Sequence, residues 1–114
     1  MPKQILKLGT HRNNRRIWLD KEDLLVGAGF KAGELYYDNY NFETQTIKLR
    51  LHDEGNRKVS KKTRSGLRNN KLQPRLVPVI DLNSTKVGYA LGNIDAIEVD
   101  YKKGIITIKP YEEK

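Results

Sequence analysis

The chain has 114 residues, no cysteine, and 22 Lys and Arg against 14 Asp and Glu, giving a net charge of +8. The length suits one small domain, or two very small units that share a core. The composition excludes a disulfide framework, a thiolate metal site and a cysteine nucleophile. No apolar run reaches the ~20 residues of a membrane span, and the first residues do not read as a signal peptide, so a soluble, cytoplasmic protein is expected.

The charge is segregated. Residues 1–16 carry Lys3, Lys7, Arg12, Arg15 and Arg16 and no acid, and read as a basic N-terminal arm. Residues 17–56 read as a first folded half. Ile17-Trp18-Leu19 is a short strand, and Asp20-Lys21-Glu22-Asp23 is material for a helix N-cap and for the positive end of the helix dipole. Leu24, Leu25 and Ala28 mark a short amphipathic helix, closed by Gly29 where a left-handed conformation is wanted. Strands are predicted over 34–38 and 46–51, joined by a turn around Phe42-Glu43-Thr44-Gln45. Ile47, Leu49 and Leu51 alternate with Lys48 and Arg50, the pattern of a strand with one buried face.

Residues 57–76 are a second basic block, with Arg57, Lys58, Lys61, Lys62, Arg64, Arg68, Lys71 and Arg75 and again no acid. This stretch reads as a long loop, or as an exposed two-stranded excursion turning near Ser65-Gly66. A structureless loop of that length in a small domain is usually functional or disordered. Residues 77–114 repeat the grammar of the first half. Ile80-Asp81-Leu82 is a strand, Asn83-Ser84-Thr85 a helix start, and Val87, Ala90 and Leu91 a short apolar helix face ending at Gly92. Strands over 96–101 and 105–108 flank Lys102-Lys103-Gly104, a hairpin turn with glycine where positive φ is needed. The expected class is mostly β with short helices. Each β-α-β-β half is too small to bury its own apolar faces, so the two must complete each other.

Pro78-Val79-Ile80, Ala90-Leu91-Gly92, Asp95-Ala96-Ile97-Glu98-Val99 and Gly104-Ile105-Ile106-Thr107-Ile108 together resemble the SpoVT/AbrB domain of bacterial transition-state regulators and antitoxins. In the first half, Ile17, Leu19, Leu24, Ala28, Gly29, Phe30 and Gly33 are similar to the SymE-like branch of that family. The resemblance implies two tandem halves in one chain, forming a pseudo-dimeric swapped-hairpin barrel either as a monomer or as a homodimer, of phage or plasmid type. It also implies that arginines near each half's first strand face DNA: Arg12, Arg15 and Arg16 for the first half, Arg75 for the second. Pro78 departs from the pattern by preceding its strand, where the family's proline commonly follows.

Catalytic chemistry has little to work with. His11 and His52 sit in different contexts with no metal-ligand spacing, Asp20, Glu22 and Asp23 serve a helix start, and no phosphate-binding glycine loop is present. No enzyme activity, metal or cofactor is expected. The basic blocks point to nucleic acid, because Lys and Arg displace counterions from phosphates and Arg can fork onto a guanine edge. The expected function is a small DNA-binding regulator of mobile-element type, with DNA favoured over RNA. The expected contacts are Arg12, Arg15, Arg16, Arg57, Lys58, Lys61, Lys62, Arg64, Arg68, Lys71 and Arg75. The alternatives are a factor that binds and inhibits a host protein, and a SymE-like RNA-binding toxin. Tyr36, Tyr37, Tyr40 and Phe42 surround one hairpin, where alternate members are expected to pack inside and the others to sit at the rim. Trp18 is expected at the seam between halves or facing solvent beside the basic arm.

Overall fold

The structure is a computed structural model. It describes residues 3–11, 14–68, 71–92 and 94–111, with the backbone alone for 10, 11, 14, 64–68 and 71–75. The chain is mostly β. In order it forms β1 (Lys3–Lys7), β2 (Gly9–His11), β3 (Asn14–Leu19), α1 (Glu22–Gly27), β4 (Leu35–Asn41), β5 (Thr46–Leu51), β6 (Arg57–Lys58), β7 (Ser60–Arg68), β8 (Lys71–Leu82), α2 (Thr85–Leu91), β9 (Ala96–Lys102) and β10 (Ile105–Pro110). These make a six-stranded antiparallel sheet, ordered β1-β9-β10-β5-β4-β6, and a four-stranded one, ordered β2-β3-β8-β7. Among the described residues, no helix is long and apolar enough to cross a membrane.

Two seams join the halves. β3 runs antiparallel to β8, with Ile17 opposite Leu82 and Leu19 opposite Ile80. β5 runs antiparallel to β10, with Ile47 opposite Ile108 and Leu49 opposite Ile106. All eight side chains are buried in one continuous core with Leu25, Phe30, Tyr36, Val87 and Leu91. Each half's first strand therefore pairs with the other's first strand, and each last strand with the other's last. The alternation of Ile47 and Leu49 with Lys48 and Arg50 is what fixes this register, since a one-residue slip would turn both cations into the core.

The helices end as their glycines require. Gly29 takes φ +91° and its N–H reaches the Val26 carbonyl at 2.9 Å, while Gly92 takes φ +77° and its N–H reaches Gly88 at 2.8 Å. Their starts fall one residue later than Asp20 and Asn83. The N-caps are Lys21 and Ser84, and neither makes a side-chain cap hydrogen bond. At α1 the acids Glu22 and Asp23 lie in the first turn instead, where they oppose the positive helix end.

Within the expected N-terminal arm, residues 3–7 form an edge strand instead. β1 pairs with β9 along the edge of the large sheet, from Lys3 opposite Asp100 to Lys7 opposite Ala96. The alternation of Lys3, Ile5 and Lys7 with Gln4 and Leu6 drives this. The former are exposed, and the latter turn inward, with Leu6 packed on the core. Tyr101 Oη donates to Gln4 Oε1 at 2.7 Å and fastens the strand. Five positions with lysine at both ends mask a period of two.

Candidate nucleic-acid interface

Of the two forms expected for the second basic block, the structure has the two-stranded excursion and not the loop, but its strands do not turn at Ser65-Gly66. β7 and β8 form one unbroken ladder from Ser60 opposite Val79 to Arg68 opposite Lys71, so the strands run on past the expected turn. Its root is tied to the first half, where Val59 N–H reaches the Glu34 carbonyl and Gly33 N–H reaches the Val59 carbonyl, both at 2.9 Å. At ~3.4 Å per residue the nine residues of β7 extend about 30 Å.

Directly opposed residues of a ladder share a face, and so do positions two apart. The register therefore assigns Lys62, Arg64, Arg68, Lys71 and Arg75 to a single face, with Arg64 opposite Arg75 and Arg68 opposite Lys71. Lys61, opposite Pro78, falls on the other face with Thr63, Leu67, Leu72 and Leu76. Like charges placed directly across a ladder destabilise it.

Trp18 stands at the root of the cationic face. It lies opposite Asp81 in the β3–β8 seam and remains 36% exposed. The Arg16 guanidinium sits 4.6 Å from the indole centroid and the Lys62 ammonium 5.7 Å from it. Both halves of the expectation for Trp18 are thus met by one position: it is in the seam and beside the basic segment.

Ten of the eleven candidate contacts divide into three sets. Arg15, Arg16 and Arg57 are engaged by the protein itself. Arg16 forks onto Asp81 with two bonds of 2.9 Å, which raises its pKa above the usual arginine value. Arg57 bonds Asp38 at 3.3 Å. Arg15 Nη2 donates to the Ile94 carbonyl, and its stem packs near Gly88 of α2. These three fix strands in place; sequence spacing gave no sign of it, because the partners lie 19 to 79 positions away. Lys58, Lys61 and Lys62 are exposed and form no ion pair among the described residues. Arg64, Arg68, Lys71 and Arg75 are placed by backbone register alone, and Arg12 lies outside the described residues.

The aromatic expectation resolves by parity within β4 for the three tyrosines, while Phe42 lies in the turn just beyond that strand. Tyr36 is buried, Tyr40 half-buried, and Tyr37 and Phe42 are exposed. Comparison with protein-family models, with curated proteins and with solved structures finds no match to this chain.

Proposed function

We propose that the chain is a nucleic-acid-binding protein, with duplex DNA as the favoured target, and that it acts as a small regulator. The β7–β8 ribbon is the contact element. One observation carries the reading: the ladder register gathers five of the block's cations on one face and sets two like-charge pairs directly across from each other. The major groove of DNA admits a two-stranded ribbon, and five phosphate contacts would give a salt slope of about −4 to −5 on duplex DNA.

The same reading takes the chain as two tandem AbrB-like halves completing each other as a pseudo-dimer. First-strand to first-strand and last-strand to last-strand pairing supports it. It is the arrangement expected when two related units meet about a two-fold axis.

Salt-titrated duplex binding tests the function. Lys62→Glu lies on the cationic face and Lys61→Glu on the other, so the former weakens duplex binding far more than the latter. Asp81→Asn, which removes the carboxylate beside Trp18, strengthens it. Equal effects of the two lysine reversals, or a salt slope near zero, would overturn the reading.

A further inference from the structure

The outer face of the six-stranded sheet carries a second arrangement, built on β4 and β5 rather than on the ribbon. β4 turns Tyr36 into the core and leaves Tyr37, Asn39 and Asn41 exposed. The ladder sets Tyr37 opposite Arg50, Asn39 opposite Lys48 and Asn41 opposite Thr46. These six side chains line a shallow concavity of about 800 Å³.

Its chemistry differs from that of an ordinary solvated sheet face. Toward β9 and β10 the same sheet mixes signs, and Lys109 reaches Glu98 at 3.0 Å. At the β4–β5 end no such neutralisation occurs among the described residues. Lys48 and Arg50 are exposed without an ion pair, and the carboxylate in the wall, Asp38, is engaged by Arg57 with its side chain 10% exposed. Tyr37 presents an exposed ring, backed by His52 at 5.2 Å between centroids and tilted by 48°. Asn41 Oδ1 accepts from the Glu43 and Thr44 N–H groups of the turn, which leaves its amide NH₂ as a donor.

A propped aromatic face, two unpaired cations in file on one strand and two carboxamides together make a platform for nucleotides. Stacking on Tyr37 needs a base whose face is open, and a paired base in a duplex has none to offer. We infer that this concavity binds unpaired nucleotides of a single strand. Tyr37 stacks a base, Lys48 and Arg50 hold flanking phosphates, and Asn39 and Asn41 donate to base edges. Because stacking serves every base, the site is tolerant of sequence. The inference does not rest on the ribbon.

The test is fluorescence anisotropy with a short labelled oligothymidylate and a labelled duplex, both at low salt. Tyr37→Ala weakens oligothymidylate binding roughly five- to hundred-fold, the range set by loss of one stacked base, while Tyr37→Phe retains it. Lys48→Gln with Arg50→Gln weakens it further and flattens its salt dependence. Lys62→Glu lowers duplex affinity and leaves the oligothymidylate unchanged, so this site and the ribbon fail separately. Thermal melts confirm folding; if the double variant is unstable, the Tyr37 pair stands alone, since that side chain is on the surface. Absence of oligothymidylate binding by the unaltered protein, or unchanged affinity in Tyr37→Ala, would overturn the inference.

Discussion

Shortening Leu49 to alanine tests whether the two halves form one cooperative unit. Leu49 is fully buried and lies opposite Ile106 across the β5–β10 seam. Loss of a buried leucine's outer carbons costs about 3 kcal/mol, in a range of roughly 2–5. Unfolding entropy of about 2.1 cal/mol/K per residue comes to ~0.24 kcal/mol/K for this chain, so the midpoint falls by about 12 °C. Ile106→Ala has a similar effect, and the double variant departs from additivity by roughly 0.5–3 kcal/mol because the sites are neighbours. Two probes follow the melt: far-ultraviolet circular dichroism for both sheets, and fluorescence of Trp18, which lies in the four-stranded sheet. Both should report a single transition displaced by the same amount. Two separated transitions, or a Trp18 signal that stays put while the dichroism midpoint drops, would refute a shared core.

Gly55 is constrained by space rather than by dihedral angle. A Cβ there would lie 2.4 Å from the Tyr36 backbone nitrogen and 2.5 Å from its carbonyl. Gly55→Ala therefore costs at least the ~3 kcal/mol typical of severe overpacking, read as a fall in midpoint of about 12 °C or more; a loss under about 1 kcal/mol would disprove the close approach. Alkaline stability should fall from about pH 10 upward. Burial, reinforced by nearby Asp38, pushes Tyr40 from 10.0 up to about 12, and burial also raises Tyr36 and Tyr101. Above pH ~10 the unfolded tyrosines lose protons that the folded ones keep, so stability is full below that pH and is lost toward about 12. Urea midpoints across this window should decline, less steeply for Tyr40→Phe; a flat profile would contradict the assignment.

Much of the architecture was legible because it is local. Ile47 and Leu49 announce a half-buried strand by alternation, and Gly29 and Gly92 announce helix ends because an L side chain is strained at their positive φ. The edge strand β1 was not legible, since its lysines suggested an arm while Gln4 and Leu6 turned inward. The hairpin closure was misplaced because Gly66 attracts a turn, whereas the ladder carries Gly66 opposite Gln73 in mid-strand. Charge clustering located the basic ribbon but could not separate free cations from engaged ones. Arg16 and Arg57 lose their freedom to Asp81 and Asp38, and only the folded pairing of strands brings those groups together.

At the centre of the β3–β8 seam, and beside the centre of the β5–β10 seam, the residues that face one another differ. Trp18 meets Asp81 between β3 and β8, and Lys48 meets Thr107 between β5 and β10. Two identical strands meeting as β3 meets β8 would set the central residue against its own copy, pressing aspartate on aspartate or indole on indole. A single chain pairing two different strands escapes that constraint. It lets an indole be placed beside a carboxylate with Arg16 spanning both, and it removes subunit concentration as a condition for keeping the seam intact.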